Sequence, residues 1–73
     1  MDAIDFELRG EYIELDKLLK ATGLAESGGH ARMMITEGLV QVDGQPESRK
    51  TAKMRAGQRV EAQGTVITLR AAA

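Results

Sequence analysis

Ser27, Gly28, Gly29 and Arg32 have types and spacing that suit one kind of chemistry, the holding of an anion. In "ESGGHAR", residues 26–32, Ser27 reads as the N-cap of a helix, and Gly28 and Gly29 fall in its first turn. Glycine there costs up to about 1 kcal/mol each relative to alanine. What it offers in return is access. The first N–H groups of a helix have no intrahelical partner and lie at the positive end of the helix dipole. With no side chains at 28 and 29 they can meet a phosphate directly. Ser27 adds a hydroxyl donor, and Arg32, little more than one turn on, adds a full positive charge. The same glycines also suit a tight turn between two helices, where they relieve crowding. The residues alone leave both readings open. His30, the third helical position, reads as a surface histidine without a role, or else as a neutral donor to phosphate or a ring for an unpaired base.

Other chemistries are thinly represented. The 73 residues include one histidine and no cysteine, so no Cys/His zinc set exists and no disulfide or thiolate chemistry is available. Gly28-Gly29 is too short for a P-loop or a dinucleotide fingerprint, and no nucleophile elbow or EF-hand loop is present. No catalytic residue, metal or cofactor is expected. No apolar run approaches the roughly 20 residues of a membrane span, and "MDAIDFELRGEY" is acidic where a secretory signal is basic and then apolar. A cytoplasmic monomer, away from membranes, is expected.

Net charge is −1, but it is unevenly spread. Residues 1–16 carry six acids and one base, Arg9. Residues 17–73 carry nine bases and five acids, and residues 48–59, "SRKTAKMRAGQR", hold five bases and no acid. Such asymmetry points to an anionic partner, or to a solvated loop of uncompensated bases.

The elements that must position these groups follow from periodicity. "AIDFEL" places Ile4, Phe6 and Leu8 on one face and acids on the other, a half-buried strand that "EYIEL" can continue past Arg9-Gly10. Leu15, Leu18 and Leu19 recur at helical spacing up to Gly23, a C′ glycine, and leave Lys17 and Lys20 outside the leucine stripe. A second helix runs from Ser27 to about Glu37, with Ala31, Met34 and Ile35 on one face and Arg32 on another. "LVQVDGQ" is a strand ending in Asp43-Gly44, a strong hairpin signal. "RAGQRVEA" and "TVITLR" pair through Gln63-Gly64. The expected architecture is α+β, one domain over residues 1–73, with two short helices packed on a small, mainly antiparallel sheet.

The run "LDKLLKATGLAESGGHARMMITEGLVQVDGQ" followed by "SRKTAKMRAGQRV" resembles the small RNA-binding domain named after ribosomal small-subunit protein S-four, whose helix pair is called the alpha-L motif. The family's Leu-Asp-Lys opening is Leu15-Asp16-Lys17. Its helix-starting Ser is Ser27, its Ala-Arg is Ala31-Arg32, and its strand and turn are Gly38, Val40, Val42, Asp43 and Gly44. A late basic stretch matches at Lys53, Arg55, Gly57 and Gln58. The likeness covers residues 14 to about 61. Glu26-Ser27-Gly28 and the Arg49-Lys50 pair also look like short stand-alone members of that family. The resemblance implies a non-catalytic module that binds structured RNA, of the ribosomal or transfer class. It implies contacts from Lys17, Lys20, Ser27, Gly28, Gly29, Arg32, Asp43, Gly44, Gln45, Arg49, Lys50, Lys53 and Arg55. The chain departs from the family at Gly28 and Glu14, where arginine is usual, and around Met33, Thr36, Leu39 and Gln41, where bases are usual; fewer phosphate contacts and a shallower salt dependence follow.

Phe6 and Tyr12 are the only residues among Phe, Tyr and Trp, so shape recognition of folded RNA is expected rather than a stacking platform for single strands. An alternative is a protein-interaction adaptor that pairs through the acidic N-terminal strand; against it, charge on an exposed edge commonly prevents pairing. The acids would also repel RNA and restrict the face it uses, so that removing residues 1–9 would tighten binding.

Overall fold

The computed structural model describes residues 2–72. Nine elements follow in order: β1 (Asp2–Glu7), β2 (Ile13–Glu14), α1 (Leu15–Ala21), α2 (Gly28–Thr36), β3 (Val40–Val42), β4 (Gln45–Pro46), β5 (Lys53–Met54), β6 (Arg59–Ala62) and β7 (Thr65–Arg70). The two helices pack on a five-stranded sheet ordered β1-β7-β6-β3-β4, and β2 and β5 form a separate small ladder.

Leu15, Leu18 and Leu19 of α1 and Ala31, Met34 and Ile35 of α2 are all buried, while Lys17, Lys20 and Arg32 stay exposed, as helical spacing dictates. These side chains join Val40, Val60, Ile67 and Leu69 from the sheet in one core. Truncating a fully buried leucine such as Leu18 to alanine costs about 2–5 kcal/mol, a large share of the roughly 5–15 kcal/mol that holds a domain folded. The second helix ends where Gly38 adopts φ +76°. There the Gly38 N–H donates to Ile35 O and the Leu39 N–H to Met34 O, at 3.1 and 3.0 Å. A side chain at that backbone angle is strained, which is why a glycine terminates this helix.

Asp43 (φ 50°) and Gly44 (φ 82°) make the tight turn between β3 and β4, and Gln63 and Gly64 repeat it between β6 and β7. Positive φ at both central residues matches the twist of the flanking strands.

The sheet is mainly antiparallel, as expected; one feature refines that expectation and two differ from the sequence reading. First, β1 pairs with β7 in parallel register, Ile4 beside Ile67, so the sheet is mixed. Ile4 and Phe6 nevertheless turn toward the core, as their alternation implies. Second, Ile13-Glu14 does not continue β1. It pairs antiparallel with β5, Ile13 opposite Met54 and Glu14 opposite Lys53. Third, β5 arises inside the basic stretch 48–59, where the sequence reading places no strand at 53–54. Its burial alternates, with Ala52 and Met54 inside and Lys53 outside, a period too short to stand out in sequence.

Candidate functional site

The basic segment is not a free loop. It is tied across the start of α1: the Leu15 N–H donates to Ala52 O at 2.9 Å and the Asp16 N–H to Lys50 O at 3.1 Å. These bonds satisfy two of the helix's leading N–H groups, and Glu14, the N-cap residue, makes no side-chain cap bond. The two-residue β2–β5 ladder continues the attachment. Lys50 and Lys53, about thirty residues beyond α1 in the chain, are thereby fixed beside its N-terminus.

Asp16 is the hub of this region. Its carboxylate is only 8% exposed; Oδ1 accepts from the Lys17 N–H at 2.9 Å, and Oδ2 faces Arg32 Nη1 at 3.4 Å. Arg32 thus reaches from α2 back to α1. Its guanidinium passes over the start of α2: a Cβ on Gly28 would lie 3.2 Å from Arg32 Nη1. A Cβ on Gly29 would meet nothing nearer than Ser27 Oγ at 3.9 Å. The two glycines therefore do different things. Gly28 makes room for the arginine, and Gly29 leaves the helix end open. Neither is pressed against α1, so relief of helix–helix crowding does not account for them.

Ser27 caps the helix as expected, its hydroxyl oxygen accepting from the His30 N–H at 3.1 Å. The imidazole Nδ1 of His30 accepts from the Glu26 N–H at 3.1 Å. That bond gives His30 a local structural task and leaves the ring proton on Nε2. The N–H groups of Gly28 and Gly29, ahead of the first intrahelical bond from Ala31 to Ser27 O, remain directed out of the helix end.

The remaining cations expected at the site divide into two sets. Lys17 pairs with Glu14 at 2.8 Å, and that carboxylate raises its pKa, chiefly through the hydrogen bond and then through charge. Arg49 grips Glu47 with two side-chain bonds of 2.9 and 3.1 Å, and its backbone N–H adds a third at 3.0 Å. Those bonds pull the Glu47 carboxyl down to about 2. Lys20, Lys50, Lys53 and Arg55 are exposed, and none is in an ion pair among the described residues.

The hairpin turn connects to this face through polar side chains. Asp43 Oδ1 accepts from the Arg59 N–H at 2.9 Å, and Oδ2 lies 3.5 Å from Gln58 Nε2, while Gln58 Oε1 accepts from the Arg55 N–H at 2.7 Å. The Asp43 carboxylate thus braces the fold, while Asp43, Gly44 and Gln45 all stay exposed on the turn. Two residues escaped the sequence reading. Asp16 lies inside a recognised motif, but its pairing with Arg32 is a contact across sixteen positions that no local spacing reveals. Tyr12, 44% exposed, carries Lys53 Nζ at 4.9 Å and the Arg55 guanidinium at 5.6 Å from its ring centre.

At Met33, Thr36, Leu39 and Gln41 the surface is neutral and exposed. Positive charge is gathered instead on the loop and strand at 49–55 and on α1. Among the described residues no group of three or more His, Cys, Asp or Glu side chains is placed to hold a metal, and no helix is long and apolar enough to cross a membrane.

A helix pair laid on a mixed sheet, with a basic segment fastened across the start of the first helix, defines a small α+β domain. The chain belongs to the S4 domain family, whose model matches residues 6–70. It is 49% identical over 53 residues to the putative RNA-binding protein YbcJ of Escherichia coli K12, a stretch covering 73% of this chain and 76% of that protein. An uncharacterised YbcJ protein of Shigella flexneri matches equally. The solution structure of E. coli YbcJ, described as revealing an alpha-L motif involved in RNA binding, superposes with a TM-score of 0.72. The sequences are 39% identical in that comparison, which covers 96% of this chain and 90% of the other.

Proposed function

We propose that this chain is a non-catalytic RNA-binding module that docks on structured RNA, of the ribosomal or transfer class, through the start of α2, the 49–55 segment and the Gly44-Gln45 turn. The observation that carries the reading is the fastening of the basic segment across α1. Hydrogen bonds from Leu15 and Asp16 to the 50–52 backbone hold Lys50 and Lys53 on the face to which Arg32 also reaches. Membership of the S4 domain family and the likeness to YbcJ support it. Phosphate contacts of this kind position a module and do not read sequence, so folded shape is the expected determinant. Lys17, Arg32 and Arg49 already face carboxylates and deliver less net charge than their number suggests. Lys20, Lys50, Lys53 and Arg55 supply most of the attraction.

The edge position of β1 in the sheet fits the alternative of strand pairing with a protein partner. The exposed Asp2, Asp5 and Glu7 on that edge are, equally, what discourages such pairing.

The test is binding of a hairpin RNA by the wild type and by Lys50→Ala with Lys53→Ala. Both side chains are exposed, so melting temperature should stay the same. Affinity should fall, and the log–log salt slope should flatten by roughly 0.7–0.9 for each phosphate that is no longer neutralised. Unchanged affinity and slope in the double variant would refute this placement of the face.

A further inference from the structure

Tyr12 stands apart from the phosphate-binding scheme. It is the one tyrosine of a chain without tryptophan, and the other large aromatic, Phe6, packs against the core. The β2–β5 register sets Ile13 opposite Met54 and Glu14 opposite Lys53. Extending it by one residue brings Tyr12 opposite Arg55, with Lys53 diagonal to it, the separations at which cross-strand side chains interact. The ring duly gathers both cations, at 4.9 and 5.6 Å. Arg55 is held in place by the bond from its N–H to Gln58.

This grouping is incomplete by itself. Two like charges are drawn to one ring, and neither is in an ion pair among the described residues. The ring's face attracts cations through its quadrupole, but it carries no net charge with which to neutralise them. Glu14, across from Lys53, is taken by Lys17 at 2.8 Å, so both cations are left to an incoming anion, and what the cluster offers besides charge is flat aromatic surface. A nucleotide supplies both complements, phosphate for the cations and a base for the ring. Beside Tyr12 opens a groove of about 570 Å³, lined also by Phe6, Leu8, Arg9 and Ile13, within the usual range of small-ligand clefts. Asp5 and Glu7 line it too. Those carboxylates repel a phosphate, so the backbone stays on the Lys53–Arg55 side and the base turns toward Tyr12.

We infer that Tyr12, flanked by Lys53 and Arg55, is a stacking shelf for a single unpaired nucleobase adjoining the RNA helix that the basic face holds. The inference rests on the RNA-binding reading above and adds the ligand's chemistry: a helix with an unpaired nucleotide next to it, not a blunt duplex. One aromatic gives one stacking position, which agrees with the shortage of aromatics elsewhere.

The probe is a pair of hairpin RNAs identical except that one ends blunt and the other carries a short single-stranded 3′ tail. Tyrosine emission reports Tyr12 alone. The tailed hairpin should quench it at saturation, and the blunt one should bind without that quenching. The tail should tighten binding about five- to tenfold, the lower end of base–aromatic stacking. Tyr12→Leu should abolish the preference for the tail, and Tyr12→Phe should keep it. If both hairpins bind with equal affinity, or the tailed one saturates without quenching, the shelf is refuted while the RNA-binding reading stands. If neither hairpin binds, both fall together.

Discussion

Replacing Gly28 and Gly29 by alanine separates the stability of α2 from its use. Neither glycine has positive φ, so alanine is not strained by the backbone. At Gly29 the new methyl meets only Ser27 Oγ at 3.9 Å, an ordinary contact. At Gly28 it meets Arg32 Nη1 at 3.2 Å, and the mobile guanidinium end must shift by a few tenths of an ångström. Each substitution gains helix propensity of about 0.5–1 kcal/mol in a helix interior, and the lower end applies in a first turn. The pair together should stabilise the domain by about 1 kcal/mol, which raises the melting temperature of a domain this size by roughly 4–8 °C. Side-chain Cβ atoms tilt toward a helix's N-terminus, so both methyls stand where a phosphate would approach the exposed N–H groups. A hydrogen bond to a charged group is worth about 1.5–3 kcal/mol. Losing one corresponds to a drop in RNA affinity of roughly 10- to 100-fold. Circular dichroism melts and filter binding measure the two effects separately. Gly29→Ala is the cleaner variant because it leaves Arg32 in place. A rise in melting temperature with unchanged RNA affinity would refute direct phosphate contact at this helix end. A fall in melting temperature would refute the open space inferred at Gly29.

Three further outcomes follow from the site. Glu47, held down to about 2 by Arg49, should still be ionised at pH 3 in a carboxyl NMR titration. Because its folded-state value is depressed, the pair stabilises the fold above the ordinary carboxylate range and is lost as pH falls toward about 2. Arg49→Ala should return the midpoint to the usual range, and a wild-type midpoint near about 4 would contradict the pairing. Asp16→Ala removes the acceptor for the Lys17 N–H and the partner of Arg32, and should lower stability by about 1–3 kcal/mol; an unchanged thermal melt would deny Asp16 its role as the hub. Asp5→Asn with Glu7→Gln removes negative charge from the β1 edge while keeping the strand, and should tighten RNA binding about threefold at low salt. Unchanged affinity would show that the acidic strand does not repel RNA. Deleting residues 1–9 is the wrong instrument for that question, because it removes Leu8 from the core together with the packing of Ile4 and Phe6.

The local features were readable because they obey local rules. The leucines of α1 and the Ala31, Met34, Ile35 set declare helices by spacing. Ser27 and Gly38 mark the ends of α2, and Asp43-Gly44 and Gln63-Gly64 mark hairpins. What escaped was set by distant contacts. The parallel pairing of β1 with β7 joins the two ends of the chain, and no periodicity announces a partner some sixty residues away. β5 is two residues long and exists because β2 meets it. The candidate site divides in the same way. Its cations and glycines were visible as types, but which cations are already paired depends on Glu14, Asp16 and Glu47. The puzzle of the two glycines likewise turned on a long-range fact, the path of Arg32 to Asp16 over Gly28.

The most direct test of the RNA-binding reading is the salt dependence of hairpin RNA binding, measured by filter retention between about 50 and about 200 mM salt. With Lys20, Lys50, Lys53 and Arg55 free to meet phosphate, log affinity should fall with log salt at a slope of about −3. Absence of binding at the lower salt, or binding with a slope near zero, would contradict an RNA-binding face built on these cations.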